Sequence, residues 1–120
     1  MDRNELENID RIKDIEENVK VGLLDIIILK FISEKDMYGY EIKQKLIEDS
    51  NNTITIGEGS LYGPLYRLEK KNLITSYKRI VGQKRFRIYY HIEPLGIEHL
   101  ELAKSVCTNM FKAAIDILAK

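Results

Sequence analysis

The sequence predicts a mainly α-helical fold with one small β-hairpin, an α+β class. Over most of its 120 residues, apolar side chains recur every three or four positions, which is the period of amphipathic helices. Between Phe86 and Ile92 apolar and polar residues instead alternate, which is the period of a β-strand. We expect one domain, because a chain of this length can form one modest core.

Three helices are expected in the first half. Residues 1–20 form an amphipathic helix whose seven acids and four bases favour a place on a surface or on another chain. The helix from Val21 to Ile32 is apolar on most sides and is expected to be the buried centre. Ser33–Met37 is expected to be a turn, followed by a third helix from Tyr38 to Asp49.

A fourth helix is expected from Ser60 to Lys71, with three leucines facing inward and Ser60 as its N-cap. The β-branched stretch Thr53–Ile56 before it favours a short extended piece. Two strands follow, joined through Gly82-Gln83 as a hairpin. Pro94 then begins a long last helix that runs to about Ala119, since proline is favoured at the first helical position.

The last helix carries an apolar seam with alternating steps of three and four residues, which is typical of helix pairing between chains. We therefore predict a homodimer, with residues 93–120 as the dimerisation helix; the alternative is that this helix folds back on its own core. Small residues and a pliable methionine favour a hydrophobic effector pocket across the dimer axis, although an ordinary tight seam fits as well. The seam is Leu100, Ala103, Cys107, Met110, Ala114 and Ile117, and the pocket is Val106, Cys107, Met110, Phe111 and Ala114.

Residues 21–92 follow the order of a winged helix-turn-helix, in which the third helix of a trihelical unit reads DNA and a hairpin forms the wing. The total charge is zero, but the segment from Arg67 to Tyr90 holds eight bases and one acid, a net charge of +7. Basic groups on the recognition helix and wing can neutralise phosphates of double-stranded promoter DNA. We expect Lys84 and Arg85, the basic residues of the wing tip, to lie just beyond the hairpin turn. The recognition helix would present Ser60, Tyr62, Gly63, Tyr66, Arg67 and Lys70.

Three segments of the chain carry a specific pattern: MYGYEI at 37–42, SLYGPLYRLEKKNLI at 60–74 and RIYYHIEPLG at 87–96. They resemble the signatures of the PadR family of bacterial transcriptional regulators. The resemblance implies a homodimeric winged-helix repressor released by a small effector. By matching position, it places Tyr40 and the stretch from Gly59 to Tyr62 on the operator. Gly63 stands between the motif tyrosine and its proline, where the family usually has none.

Other functions have less support in the sequence. A winged-helix module that binds an acidic protein is the alternative to DNA binding. No paired carboxylates, activated nucleophile or phosphate-binding glycine loop indicates an enzyme, and no cofactor is expected. His91 and His99 lack companions at metal-ligand spacing. Cys107 is either a small apolar residue or a redox sensor. The charged N-terminus and the lack of a membrane-length apolar run favour a cytoplasmic protein without membrane contact.

Overall fold

A computed structural model describes residues 2–57 and 59–120 of the chain. In these two ranges there are five helices and a sheet of three antiparallel strands, which confirms the α+β class. The elements are α1 (Arg3–Val21), α2 (Leu24–Glu34), β1 (Met37–Tyr38), α3 (Gly39–Asp49), α4 (Tyr62–Lys70), β2 (Ile74–Gly82), β3 (Arg85–Ile92) and α5 (Pro94–Leu118).

The core is centred on α2, as its apolar surface predicts. Ile28, Leu29 and Ile32 of this helix are almost completely buried, and α2 packs against α4, α5 and β3. The predicted inward face of α4 is also confirmed, since Leu61, Leu65 and Leu68 are buried. Because these side chains fix one face of α4 to the core, the opposite face is held towards the solvent.

The sheet has the order β1-β3-β2, so β3 is the central strand. Strands β2 and β3 form the predicted hairpin, which we call the wing. A bulge between Ile80 and Gly82 lengthens β2, and the turn therefore falls at Gln83-Lys84 rather than Gly82-Gln83. Lys84 has a left-handed backbone, with φ of 58°. Lys84 thus lies in the turn itself and not beyond it.

The first strand was not expected from the sequence. Tyr38 was predicted to begin a helix, but Met37 and Tyr38 pair with Tyr90 and Tyr89 of β3. Helix α3 begins one residue later, at Gly39, and the Glu41 carboxylate accepts a hydrogen bond from the Tyr38 N–H. The two-residue strand ties the start of α3 to the wing.

The predicted extended piece at Thr53–Ile56 does not belong to the three-stranded sheet, and Thr53 and Ile54 lie in a bend. Its polar groups bind side chains instead. The Lys20 ammonium donates to the Thr55 carbonyl over 2.8 Å, and the Ser50 hydroxyl donates to the Ile54 carbonyl and accepts from its N–H. Ile56 is buried in the core. The segment therefore serves as a packed link between α3 and the next helix.

The predicted N-cap of α4 is also wrong. Leu61 occupies the cap position without a side-chain hydrogen bond, and Pro64 is the third helical residue. Ser60 lies in the preceding turn, where its N–H donates to the Gly57 carbonyl. Gly59 has a φ of +85°, a conformation that side chains with a Cβ seldom adopt. The turn at Gly59 and Ser60 thus replaces a serine cap.

Two helices extend beyond the core. The radius of gyration is 16.9 Å, compared with about 14 Å expected for a compact domain of this length. No residue of α1 is buried, and in α5 only Gly96 and Leu100 are. Within the described residues, no helix has the length and apolar content to cross a membrane.

Candidate nucleic-acid interface

Three tyrosines stand out from the solvent side of α3 and α4. Tyr40, Tyr62 and Tyr66 each expose more than 60% of their surface, although aromatic side chains are usually at least half buried. Tyr40 is the second residue of α3, and Tyr62 is the first residue of α4. The structure therefore brings Tyr40 next to the predicted recognition helix. This position is compatible with the prediction that Tyr40 contacts DNA together with that helix.

The N-termini of α3 and α4 meet around an open hollow of about 430 Å³. Helix N-termini carry unpaired N–H groups and a partial positive charge, which suit a phosphate. Lys43, one turn into α3, adds a full charge there; it was missed in the sequence, although its place three residues after Tyr40 puts it on the same helix face. The hollow is lined by Gly39, Tyr40, Lys43, Gly57, Gly59, Leu61 and Tyr62.

A second, smaller hollow of about 190 Å³ joins this helix pair to the wing. Tyr40 and Tyr62 form one side of it, and Arg87 and Ile88 of β3 form the other. The Arg87 guanidinium lies 4.3 Å from the ring centroid of Tyr38, which holds this cation at the base of the wing. The recognition helix and the wing thus share one continuous surface.

Arg67 of α4 forms a salt bridge with Asp25 of α2. Its Nε and Nη2 donate to the Asp25 carboxylate over 3.0 and 2.8 Å. This bidentate pair raises the pKa of Arg67 further, chiefly through the hydrogen bond to Asp25. A Cβ on Gly63 would lie 3.4 Å from Nη1 of Arg67, which is an ordinary contact distance. Arg67 keeps three of its five N–H donors.

The other basic residues of the predicted DNA-binding set are exposed. Lys84 and Arg85 form the end of the wing, and Lys70 lies at the end of α4. The Lys70 ammonium stands 5.8 Å from the centroid of Tyr66, so these two side chains cover the second half of the recognition helix together. All ten predicted DNA-binding residues lie on α3, α4, the turn before α4 or the wing.

The wing is anchored to the α2–β1 link by a polar cluster. Asp36 accepts a hydrogen bond from the Tyr77 hydroxyl at 2.6 Å and lies 2.7 Å from Nδ1 of His91. The hydrogen bond to Asp36 raises the pKa of His91, against a smaller opposing effect of burial. Burial raises the pKa of Asp36, but the bonds to Tyr77 and His91 together lower it below its usual value. The cluster joins β2 and β3 to the core.

Apart from Leu100, the predicted dimer and effector residues lie on the part of α5 that extends beyond the core. Ala103 and Cys107 are half-buried, whereas Val106, Met110, Phe111 and Ile117 are exposed, as is Ala114. Leu100 alone of the seam is in the core. A separate apolar hollow of about 420 Å³ lies at the junction of α2, α3 and α5; it is lined mainly by Ile26, Ile27, Phe31, Leu46, Ile54 and Leu100.

Comparison with known proteins agrees with this geometry. The model of the transcriptional regulator PadR-like family matches residues 28–102. An uncharacterized protein of Lysinibacillus sphaericus is 48% identical over 84 residues, which are 69% of this chain and 77% of that protein.

Two solved structures are also similar. A transcriptional regulator from Clostridium thermocellum is 34% identical, with a TM-score of 0.75, over 86% of this chain and 99% of that one. A PadR family transcription regulator from Clostridium difficile is 32% identical, with a TM-score of 0.67, over 79% and 97%. Both solved structures are of transcriptional regulators. The chain belongs to the PadR-like family of transcriptional regulators.

Proposed function

We propose that the protein is a homodimeric, sequence-specific DNA-binding repressor that a small hydrophobic effector releases from its operator. The observation that carries this proposal is the shared surface on which the N-termini of α3 and α4 meet the wing. Helix α4 enters the major groove, where Tyr62, Tyr66 and Lys70 reach base edges and phosphates. Lys84 and Arg85 contact the flanking backbone.

The charge distribution supports one DNA-facing side. Residues 67–90 carry a net charge of +7, and since the whole chain is neutral, the remainder carries −7. Acidic helices such as α1, with a net charge of −3 over residues 1–20, repel DNA from other faces. We expect weak non-specific binding and a single productive orientation.

A salt series tests the DNA-binding proposal. The protein is titrated onto labelled DNA from the region upstream of its own gene, with an unrelated duplex as control, at several salt concentrations. Each phosphate that the protein neutralises contributes about −0.9 to the slope of log K against log salt. We expect tighter binding to the upstream DNA with a steep slope. Equal affinity for both duplexes would contradict sequence-specific recognition.

Dimerisation follows from the apolar stripes that one protomer leaves open. Along α1, Leu6, Ile12, Ile15 and Val19 are each more than half exposed, as are Met110, Ile115 and Ile117 along α5. Such continuous apolar surface favours contact with a second chain. In a twofold dimer the two recognition helices would bind half-sites about one or two helical turns apart. Footprinting should therefore reveal a pseudo-palindrome of that spacing.

The effector site is proposed across the dimer axis. Val106, Met110 and Phe111 from both protomers would line it, with the half-buried Cys107 and the small, exposed Ala114 leaving room between them. The fluorescent probe anilinonaphthalene sulfonate tests this pocket: its binding should release DNA and be lost in Ala114→Leu, which fills the space. Release of DNA that is unchanged by Ala114→Leu would place the site elsewhere, for example in the hollow at Ile27 and Phe31.

Repression is tested separately in cells. A reporter gene under the upstream promoter is compared with and without the protein. We expect lower expression when the protein is present, since a bound dimer would block the promoter. Higher expression would identify an activator and leave the DNA-binding proposal intact.

A further inference from the structure

Lys20 differs from the rest of α1 because its side chain is enclosed. Residues 2–19 and Val21 are exposed, whereas the Lys20 side chain is only 14% exposed. Its ammonium donates to the Thr55 carbonyl over 2.8 Å and lies 2.7 Å from the Glu17 carboxylate. Lysine is seldom enclosed without such partners, because its charge otherwise loses the water around it. The contact therefore ties α1 to a segment 35 positions away in the chain.

Thr55 lies just before the candidate nucleic-acid interface. Ile56, the next residue, is buried in the core, and Gly57 lines the larger hollow between the N-termini of α3 and α4. The Gly57 carbonyl accepts a hydrogen bond from the Ser60 N–H in the turn before α4. Lys20 therefore holds the backbone two residues before the surface that is proposed to meet DNA.

The first turn of α4 depends on this segment for its position. The cap residue Leu61 makes no side-chain hydrogen bond, so no side chain caps the start of the helix. Tyr62, the first helical residue, carries an exposed ring on the candidate interface. Hydrogen bonds to bases weaken steeply when their angle changes, whereas attraction to phosphates falls slowly with distance. A displaced segment would therefore harm sequence readout more than general affinity for DNA.

The direction of α1 determines where the Lys20 ammonium lies. Helix α1 has 19 residues, which is about 28 Å at 1.5 Å per residue, and only Gly22 and Leu23 separate it from α2. Its apolar stripe is exposed in one protomer, and in the proposed dimer this stripe packs on a second copy of the chain. Such packing would fix the direction of α1 and, with it, the contact of Lys20 with Thr55.

We propose that Lys20 is a positioning residue that couples assembly of the dimer through α1 to sequence readout by α4. When α1 packs on a second copy of the chain, Lys20 holds the Thr55 carbonyl and thereby the turn that leads into α4. Without this contact the turn has more freedom, and α4 discriminates less between DNA sequences. The inference rests on the proposed DNA binding and dimer, and it adds a physical path between them.

The first test replaces Lys20 by methionine, which keeps an unbranched apolar side chain but has neither donor nor charge. Affinity is measured for the upstream DNA and for an unrelated duplex, together with the salt slope and the melting temperature. We expect Lys20→Met to lose roughly fivefold or more in affinity for the upstream DNA and to keep the wild-type affinity for the unrelated duplex. The control is Lys13→Met, which removes the same charge from an exposed position of α1 and should behave as the wild type.

Two readouts separate positioning from other roles of Lys20. Removing a lysine that contacts a phosphate would make the salt slope shallower by about 0.9, whereas we expect Lys20→Met to keep the wild-type slope. Lys20→Arg retains the charge and the donors and should restore most of the discrimination. Equal losses on both duplexes with a lower melting temperature would show a purely structural role, and unchanged discrimination would show no role. Either result would overturn the inference.

A double-variant cycle tests the coupling to α1. Ile12→Glu places a charge on the exposed apolar stripe and should prevent α1 from packing on a second copy. Affinity is measured on a duplex that carries one footprinted half-site, so that the dimer gains nothing from binding two half-sites at once. We expect Ile12→Glu to lower the affinity and Lys20→Met to add little to that loss.

The outcomes of this cycle are distinguishable from a failure of the proposed function. Losses that add in the double variant would overturn the coupling and leave DNA binding intact. A wild type that does not distinguish the upstream DNA from the unrelated duplex would overturn the proposed sequence-specific binding and the role of Lys20 together.

Discussion

Arg67 on the recognition helix is joined to Asp25 on the central helix by two parallel hydrogen bonds of 3.0 and 2.8 Å. The two residues are 42 positions apart in the chain. The pair joins α4 to α2, and three further N–H donors of Arg67 lie outside it. We therefore predict that Asp25 positions Arg67 on the candidate interface.

Because Asp25 holds Arg67 in place, replacing this acid should lower the affinity for DNA instead of raising it. Removing an acid near DNA normally raises affinity, because repulsion falls. For Asp25→Asn we instead expect a loss of roughly fivefold, about 1 kcal/mol, since Arg67 is no longer held. Glu69→Gln, on the same helix as Arg67 and with the same change of charge, is the control and should bind DNA slightly more tightly. If both variants gained affinity, Asp25 would have no positioning role.

Gly96 is required where α5 meets the sheet. A Cβ at this position would overlap the Leu73 carbonyl oxygen and lie 2.8 Å from Cγ1 of Ile92. The Leu73 carbonyl is already fixed by a hydrogen bond from the Glu93 N–H. We expect Gly96→Ala to lower the free energy of unfolding by roughly 1–3 kcal/mol through overpacking.

The matched control is Gly22→Ala, because Gly22 is exposed and a Cβ there would only reach ordinary contact with the Val19 carbonyl at 3.9 Å. Urea denaturation measures both variants, and Gly22→Ala should lie within about 0.5 kcal/mol of the wild type. Equal effects of the two substitutions would show that the close approach at Gly96 is relieved without cost.

The Asp36 cluster predicts how wing stability depends on pH. The pKa of His91 is raised above 6.5, so its contribution is complete below that value and is lost as the pH rises through the folded pKa. The pKa of Asp36 is lowered below 3.8, so its contribution is complete above that value and is lost in stronger acid. The cluster should stabilise the fold most between these two values.

Thermal unfolding at several pH values checks this prediction. His91→Gln keeps a neutral hydrogen-bonding group but cannot carry charge. Its melting temperature should lie below that of the wild type at about pH 5.5, and the difference should shrink towards about pH 9. His99→Gln, an exposed position on α5, is the control and should follow the wild-type profile. A difference for His91→Gln that is constant over this range would refute the charge on His91.

The seam on α5 predicts how the assembly responds to a new charge. Met110→Glu places a carboxylate in the proposed apolar contact, where it would be desolvated without a partner. We expect monomers or aggregates in sedimentation at concentrations where the wild type is a dimer. Ser105→Glu adds the same charge on the opposite side of α5 and should leave the dimer intact. A Met110→Glu dimer of wild-type stability would exclude this seam.

Sequence periodicity was sufficient to predict most of the architecture. The apolar surface of α2, the leucines of α4 and the alternation along β3 each reflect burial against a neighbour, and burial determines these periods. Strand β1 was missed because two residues carry no period, and only the pairing of Tyr38 with Tyr89 makes them a strand. The β-branched residues of Thr53–Ile56 do not join the sheet, because β-propensity alone forms no ladder without a partner strand.

The sequence predicted which residues belong to the candidate site, but not which of their side chains contact one another. Tyr62 and Lys84 could be assigned from their places in the recognition helix and the wing. The pairing of Arg67 with Asp25 and of His91 with Asp36 could not, since each joins residues distant in sequence that only tertiary folding brings together. Those pairs distinguish the side chains that a distant acid holds in place from the other exposed side chains of the candidate interface.

The salt slope of the wing variant Lys84→Ala/Arg85→Ala tests the central claim most directly. The control is Arg11→Ala/Lys13→Ala on α1, which removes the same charge outside the candidate interface. On upstream DNA we expect the wing variant to bind more weakly and to have a slope shallower by about 1–2, while the control keeps the wild-type slope. Identical slopes for the wild type and the wing variant would contradict a DNA-binding surface formed by the wing and the recognition helix.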